Sequence, residues 1–324
     1  MAWAHLSNDF NVAKAHVIPS KATTEGVAGR RYYRFGECAD VLLGYTSAPA
    51  RKGDDSAMKR RKGYADGPFG QIHYQEAGSG EPLLLLHQSP SSSEMFEAAY
   101  QPLAERGIRA IGVDTPGFGQ SHVPDEQPSI ADYANAIRGV IDHLELGRTA
   151  LLGHHTGASI AAELAVMEPE RVTRVVLNGA PLLTAEEQAR WREALRNRPE
   201  TPPQADGSHL MDIWNRRLHF TPGWTSLRAM HWGVVQMLIA GENAKFGHAA
   251  AFSHDLSEPL RNMTQPTLVF TNTGDDIYNE CRRIMKLRPD FEYAELEGGT
   301  HDIIDEQPEE WTRIVADFVL EDQP

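Results

Sequence analysis

The stretch Leu151-Leu152-Gly153-His154-His155-Thr156-Gly157-Ala158 determines how the rest of the chain is interpreted. It begins with apolar residues typical of a strand, passes through a short turn flanked by glycines, and continues into small residues that suit the start of a helix. Glycine suits this turn because a Cβ two residues from the apex would clash, and the small residues let the helix lie close to the strand. The stretch therefore predicts a strand, a sharp turn with His155 at its apex, and a closely packed helix.

Short apolar runs and longer helical patterns alternate from Gly70 to the end of the chain, which is typical of an α/β sheet with crossover helices. Most of the apolar runs are nearly continuous in Leu, Val and Ile, as expected of parallel strands covered on both faces. Apolar residues at three- and four-residue spacing predict helices over Ile130–Leu144, Ala158–Met167 and Pro308–Leu320. The predicted strands are Ile72–Glu76, Leu83–His87, Ala110–Asp114, Ala150–Gly153, Val172–Asn178, Thr267–Thr271 and Phe291–Leu296.

A segment between about residues 182 and 263 interrupts this alternation. No strand is predicted there, and the composition is helical, aromatic and polar, with a proline-rich break at Thr201-Pro202-Pro203. We interpret the segment as a helical cap inserted into the domain. Part of its aromatic surface is expected to line a pocket between the cap and the sheet, since ligand sites favour such interfaces.

The turn at His155 resembles the nucleophile elbow of the α/β-hydrolase fold, and four further motifs follow the order found in that family. The resemblance covers roughly residues 70 to 320 and implies a mostly parallel central sheet with flanking helices and a cap insertion. The motifs are His87-Gln88-Ser89-Pro90, Asp114-Thr115-Pro116-Gly117-Phe118-Gly119-Gln120-Ser121, Thr273-Gly274-Asp275-Asp276 and Gly298-Gly299-Thr300-His301. They resemble the oxyanion loop, the loop after the next strand, the catalytic-acid turn and the catalytic-histidine turn, in that order.

The resemblance also implies which residues form the site. Asp275 would be the acid that orients His301, and His301 would be the base. The backbone N–H groups of Ser89 and Thr156 would stabilise a tetrahedral oxyanion. Gln88 stands where the family commonly has glycine, which alters the oxyanion loop.

His155 is the departure from the family pattern, because the apex of the elbow normally carries Ser and less often Asp or Cys. His155 is expected to project into the active-site cavity. His154 is interpreted as structural, because consecutive side chains at a sharp turn point in different directions.

Four roles are open for His155. It could be a nucleophile that forms an acyl-imidazole, or a base that shares a water molecule with His301. It could join His301 and a carboxylate such as Asp114 or Asp275 as a ligand of Zn²⁺ or another divalent ion. It could also belong to a protein of this fold that no longer catalyses hydrolysis and instead binds a ligand or catalyses only proton transfer.

The presence of both an acid and a base favours an enzyme over a binding protein. We predict a hydrolase of a small or medium ester, lactone, amide or related carbonyl compound, with no cofactor unless the metal site exists. The alternatives are a lyase or cofactor-free proton-transfer enzyme, and a non-catalytic ligand-binding protein. Two neighbouring imidazoles disfavour double protonation, so activity is expected to fall below about pH 6.

Five further residues are candidate substrate contacts. Gln88 belongs to the oxyanion loop, Asn178 ends a strand, and Tyr278 follows the predicted acid. His209 and Trp214 lie in the predicted cap, where a helix could reach over the site.

Composition limits the partners of the protein. The 324 residues carry a net charge of −14, which disfavours nucleic acid and anionic membranes as partners and leaves a small-molecule substrate. No run of about 18 apolar residues predicts a membrane-spanning helix. Two cysteines, Cys38 and Cys281, are too few for a disulfide framework, and a reducing cytoplasm is the expected location.

Residues 1–57 show no sustained periodicity, and we interpret them as a flexible or non-native extension before a domain that begins near Met58. They hold seven basic and six acidic residues, so the predicted domain carries −15. That charge suits a neutral or cationic substrate. The basic run Lys59-Arg60-Arg61-Lys62 is interpreted as a solvated segment next to a start site.

Overall fold

The computed structural model describes residues 60–220 and 226–321. The extension predicted over residues 1–57, together with Cys38, lies outside these described residues. Within them the chain forms a sheet of eight strands in the order β1-β2-β4-β3-β5-β6-β7-β8. The strands are β1 (Arg61–Gly67), β2 (Gly70–Ala77), β3 (Glu81–Leu86), β4 (Ile108–Val113), β5 (Thr149–His154), β6 (Val172–Asn178), β7 (Thr267–Asn272) and β8 (Glu292–Leu296).

The predicted parallel sheet is confirmed, with all seven predicted strands present. Strands β3 to β8 pair in parallel, and only β1 and β2 run antiparallel to their neighbours. In the register of the parallel strands, Leu86 lies opposite Gly153 and His154 lies opposite Asn178. The carboxyl ends of the central strands therefore meet at one edge, where ligands of such sheets bind.

Strand β1 was not predicted, and it begins within the basic run, at Arg61 and Lys62, whose side chains are exposed. Lys59 lies outside the described residues. The strand pairs with β2 over its full length. Its alternation is weak because it lies at the edge of the sheet, where one set of side chains faces water. Arg60 forms an ion pair with Glu97, and Lys62 lies 3.2 Å from a Glu94 carboxylate oxygen. These basic side chains therefore attach the edge of the sheet to the segment that contains the two glutamates.

Helices cover both faces of the sheet and enclose two apolar cores. The helices outside the β6–β7 connection are α1 (Glu97–Glu105), α2 (Ile130–His143), α3 (Thr156–Met167), α9 (Tyr278–Arg282), α10 (Ile284–Leu287), α11 (Ile303–Glu306) and α12 (Pro308–Leu320), with a 3₁₀ turn over Ser93–Phe96. The three predicted helices are present. A capping box between Ser129 and Asp132 explains where α2 begins.

The described part of the connection between β6 and β7 contains helices joined by irregular segments, and no strand. It contains α4 (Ala185–Arg196), α5 (Ser208–Phe220), α6 (Leu227–Ala240), α7 (Phe246–Ser253) and α8 (Ser257–Asn262), with a 3₁₀ turn over Gly241–Lys245. We call this segment the helical insert. Glu187 of α4 accepts two hydrogen bonds from Arg283, which fastens the insert to the segment after β7. Across residues 60–220 and 226–321, none of the helices is long and apolar enough to cross a bilayer.

Candidate active site

The predicted sharp turn lies at the carboxyl edge of the sheet. Strand β5 ends at His154, helix α3 begins at Thr156, and His155 between them has φ 49° and ψ −110°. A positive φ is strained for histidine, and it is held here by the hydrogen bond from the His155 N–H to the Asn178 carbonyl oxygen at 2.9 Å. The turn thus exposes His155 at the top of the sheet.

The two glycines of the turn are required by close backbone contacts. A Cβ on Gly153 would overlap the backbone of Gly157, and a Cβ on Gly157 would overlap the carbonyl oxygen of Leu86. The structure therefore has the close backbone contacts that were predicted to require glycine at these positions.

Gly157→Ala is expected to lower the free energy of unfolding by about 1–3 kcal/mol, because the added methyl group must displace the backbone of β3. Gly147→Ala is the matched control, since no atom lies within 4 Å of a Cβ there. Urea denaturation of both variants measures the difference. Equal stabilities would contradict the tight packing at the turn.

Asp275 forms its hydrogen bond with His155 and not with His301. The Nε2 atom of His155 lies 2.9 Å from Oδ2 of Asp275, and no hydrogen bond joins Asp275 to His301 within the described residues. The predicted contact between Asp275 and His301 is therefore not formed in this structure. The physical reason is side-chain length. The imidazole of His155 extends further from the backbone than a serine side chain would, so it occupies the position next to the Asp275 carboxylate.

Gly179 makes room for this contact. It follows β6 with a positive φ of 58°, and a Cβ on it would lie 2.8 Å from both His155 Nε2 and Asp275 Oδ2. The Asp275 carboxylate is further fixed by the Ile277 N–H, which donates to Oδ1 at 3.0 Å. The side chain of His155 keeps 16% of its surface exposed, while that of Asp275 is fully buried.

Burial and charge act in opposite directions on this pair. Burial alone would lower the pKa of His155, but the Asp275 carboxylate outweighs it and raises that pKa. Burial would likewise raise the pKa of the Asp275 carboxyl, and the adjacent imidazolium holds it below its usual range. The neighbouring Asp276 is different, because partial desolvation and the charge of Asp275 raise its pKa to about 6.

His301 lies across the cavity from His155, with ring centroids 6.1 Å apart. Its Nε2 atom is hydrogen-bonded to Arg217 of α5, and Arg217 also forms an ion pair with Asp302. Burial lowers the pKa of His301 to about 3, and the charges of Arg217 and His155 act in the same direction. His301 is therefore neutral, with its Nε2 lone pair directed at the arginine.

His154 has structural contacts. It is fully buried below His155, and the two rings stack with centroids 4.4 Å apart. Its Nδ1 lies 2.9 Å from Asn178 Oδ1, and its Nε2 lies 2.9 Å from the His301 carbonyl oxygen. Burial lowers the pKa of His154 to about 4. His154 thus ties the elbow to the turn that carries His301.

The oxyanion loop lies beside His155. His87 fixes this loop, because its Nδ1 hydrogen-bonds the Gln88 carbonyl oxygen at 2.8 Å and its Nε2 accepts from the Thr115 N–H at 2.9 Å. A cavity of about 550 Å³ opens above, and Gln88, Ser89 and Thr156 all line it together with both active-site histidines.

Four of the predicted substrate contacts do not line this cavity. Asn178 is buried, and its side chain is committed to Trp311, His154 and the Phe270 carbonyl oxygen. The Tyr278 hydroxyl donates to Glu295, 2.8 Å away. His209 accepts from the Gln204 N–H within the insert, and Trp214 lies on the same helix. Asn178, Tyr278 and His209 are therefore held by hydrogen bonds within the protein. Such bonds are common for polar residues at the end of a strand or the start of a helix.

Asp114 is not close to the candidate metal ligands. Its carboxylate accepts hydrogen bonds from the Ser93 and Gln120 N–H groups at 2.7 and 2.8 Å and lies 2.8 Å from His73 Nδ1, so it holds the loop after β4. The described residues that could hold a metal ion are instead His155, Asp275 and Asp276, whose ligand atoms lie within 4.8 Å of one another. Nitrogen and carboxylate ligands of this kind suit Zn²⁺.

Several cavity residues were missed by the sequence interpretation. They come from the helical insert and include Arg198, Arg216, Arg217, His219 and His248, whereas Trp191 agrees with the expectation that part of the aromatic surface of the cap lines a pocket. Hydrophobic periodicity indicates the apolar face of a helix, so it does not identify which polar side chains of the insert line the cavity. The one available signal is the density of arginine and histidine around the proline-rich break.

Comparison with known proteins identifies the family of the chain. A model of the alpha/beta hydrolase fold family matches residues 81–308. The chain is 35% identical over 113 residues to 2-hydroxy-6-oxo-6-phenylhexa-2,4-dienoate hydrolase from Comamonas testosteroni, a match covering 33% of this chain and 39% of that protein. It is 26% identical over 263 residues to 2-(acetamidomethylene)succinate hydrolase from Mesorhizobium japonicum, covering 76% of this chain and 91% of that protein.

A solved structure of an esterase from Exiguobacterium antarcticum superposes with a TM-score of 0.67 at 23% identity, covering 79% of this chain and 98% of the esterase. At that identity the superposition shows the fold alone. The family model spans more than two thirds of the chain and includes the elbow, the oxyanion loop, Asp275 and His301. The chain therefore belongs to the α/β-hydrolase fold family.

Proposed function

We propose that the protein is a hydrolase of a small or medium ester, lactone, amide or related carbonyl compound, in which His155 and Asp275 together activate a water molecule. The observation that carries this proposal is the 2.9 Å contact between His155 Nε2 and Asp275 Oδ2 at the apex of the elbow. The relatives named above are hydrolases, which supports the same reaction class for this chain.

The contact with Asp275 selects the tautomer of His155. When neutral His155 donates its Nε2–H to the carboxylate, the lone pair lies on Nδ1. Among the described residues nothing hydrogen-bonds this Nδ1, and the side chain lines the cavity. Nδ1 is therefore the atom that accepts a proton from water, while Asp275 stabilises the imidazolium that results.

Direct attack by water is favoured over a covalent intermediate on steric grounds. Nδ1 is adjacent to the ring carbon that carries the Cβ, so an acyl group on Nδ1 would crowd the strained backbone of the elbow. His301, 6.1 Å away ring to ring, would give the attacking water or the substrate a second hydrogen-bond partner. The backbone N–H groups of Ser89 and Thr156 would stabilise the oxyanion.

A second candidate is metal-assisted hydrolysis, and the grouping of His155, Asp275 and Asp276 favours it. In that case His155 and the two carboxylates would hold a divalent ion, and the ion would lower the pKa of a bound water molecule. The first candidate is preferred because His155 and Asp275 already satisfy each other at hydrogen-bond distance.

Hydrolysis of 4-nitrophenyl esters and of a small lactone, by the full chain dialysed against a chelator, tests the proposal. We expect turnover that survives chelation, with no acyl adduct in the mass spectrum of enzyme mixed with substrate. Activity lost on chelation and restored by Zn²⁺ would indicate the metal site instead. Absence of turnover, with enzyme-catalysed exchange of substrate C–H for deuterium, would indicate a proton-transfer enzyme.

A further inference from the structure

Two arginines of the helical insert form one wall of the cavity above His155. Arg198 follows the end of α4, and Arg216 lies on α5. Across residues 60–220 and 226–321, neither forms an ion pair with a carboxylate. Arg216 donates to the Thr201 hydroxyl oxygen at 2.7 Å, which is a neutral partner.

These two arginines differ from those that fix the outside of the fold. Arg283 and Arg313, for example, each form an ion pair with a glutamate. Burial lowers the pKa of Arg198, and the like charge of Arg216 lowers it further. Two guanidinium groups near each other in a partly buried wall repel, and an anion between them would offset that repulsion.

We propose that Arg198 and Arg216 bind a free carboxylate of the substrate, at a distance from the carbonyl group that is hydrolysed. Guanidinium groups are suited to this task because their fixed N–H geometry matches a carboxylate in two parallel hydrogen bonds. The proposal rests on the hydrolase function above and narrows its substrate class to carboxylate-bearing esters, lactones or amides.

The placement of His248 supports a substrate that reaches from the reaction centre to the arginines. His248 lines the same cavity, and it lies within electrostatic range of both Arg198 and His155. Its Nδ1 is buried and has no hydrogen-bond partner in the described part of the chain. Asp276 also lines the cavity and would repel a carboxylate that bound beside His155. The free carboxylate is therefore directed toward the arginines.

The test compares 4-nitrophenyl half-esters of succinic, glutaric and adipic acid with neutral 4-nitrophenyl esters of the same acyl length. We expect kcat/KM of the wild type to favour one half-ester over its neutral match by about 10-fold or more. Arg198→Gln is expected to reduce kcat/KM for that half-ester by about 10- to 100-fold, mainly through KM, and to reduce kcat/KM for the neutral ester much less. Arg196→Gln, an exposed neighbour outside the cavity, is the matched control.

Arg198→Lys keeps the charge but loses the two parallel hydrogen bonds, so an intermediate effect is expected, and circular dichroism checks folding of each variant. The proposal would be overturned if Arg198→Gln lost kcat/KM equally for charged and neutral esters. It would also be overturned if the wild type showed no preference for a half-ester over its neutral match. Calorimetric binding of glutarate separates the two proposals. If glutarate binding depends on Arg198 but no ester is hydrolysed, only the hydrolase function is overturned. If glutarate does not bind and the charged and neutral esters are hydrolysed equally well, only the carboxylate site is overturned.

Discussion

His155→Ala is expected to reduce kcat/KM for a good ester substrate by about 100- to 10,000-fold, the range that a positioned general base contributes. The loss follows from the geometry, because His155 is the side chain at the apex of the elbow and the one that pairs with the buried carboxylate. Most of the loss should fall on kcat, since the base acts in the chemical step. Initial rates at pH 8 measure it.

His143→Ala is the matched control for this substitution. His143 is exposed at the end of α2 and does not line the cavity, so its removal should leave kcat/KM unchanged. A wild-type rate in His155→Ala would contradict the assignment of His155 as the base. In that case His301, the other histidine that lines the cavity beside the elbow, would be the residue to replace next.

Asp275→Asn is expected to lower kcat/KM by about 100-fold at pH 8. The asparagine can still accept the Nε2–H of His155, so the tautomer is partly kept, but it cannot stabilise the imidazolium that forms when water loses its proton. The loss should therefore be smaller than that in His155→Ala. The measurement is the same ester assay, with thermal unfolding to check the fold.

Asp276→Asn separates the two candidate mechanisms. If His155 and Asp275 act as a base and its partner, the neighbouring carboxylate contributes little and the variant should lose less than about 10-fold. If the three side chains hold a metal ion, Asp276→Asn should be as damaging as Asp275→Asn and should lower the bound metal as well. A metal assay of the purified variants gives that second readout.

The sequence contained enough information to predict the fold and the position of the elbow. Apolar runs give the parallel strands, because strands buried on both faces need apolar side chains throughout. Gly153 is required by a backbone contact that any similar strand-turn-helix would make, because a Cβ there would overlap the backbone of Gly157. Such signals are local, so they can be read from neighbouring residues alone.

The partner of Asp275 could not be predicted in the same way. The family pattern places Asp275 and His301 in corresponding turns, but the partner that the carboxylate selects depends on which imidazole reaches it. His301 is held by Arg217, a residue of the insert more than 80 positions away in sequence. Contacts of this range leave no periodic pattern in a single sequence.

The pH dependence predicted from the sequence changes for the same reason. Mutual repulsion of His155 and His301 predicted a fall in activity below about pH 6. In the structure His301 is neutral through burial, and the Asp275 carboxylate raises the pKa of His155 above its ordinary value of about 6.5. The base must be neutral to act, so activity should fall as the pH drops through this raised pKa.

Net charge was also a poor guide to the cavity. A domain charge of −15 suggested a neutral or cationic substrate. Arg198, Arg216 and Arg217 nevertheless line the cavity, because the acidic residues lie mostly on the outer surface. Local charge around a site decides which ligand binds, whereas total charge mainly affects solubility and non-specific contacts.

Asp275 is expected to stabilise the protonated form of His155, and kcat/KM measured from pH 5 to pH 9 for the wild type and Asp275→Asn tests this pairing most directly. The wild type should lose activity on the acidic side with an apparent pKa above about 6.5, because the carboxylate stabilises the protonated imidazole. In Asp275→Asn the burial of His155 is opposed only by the weaker effects of the Asp276 and Asp302 charges, so this acidic limb should move to lower pH. An identical acidic limb in both proteins would contradict the claim.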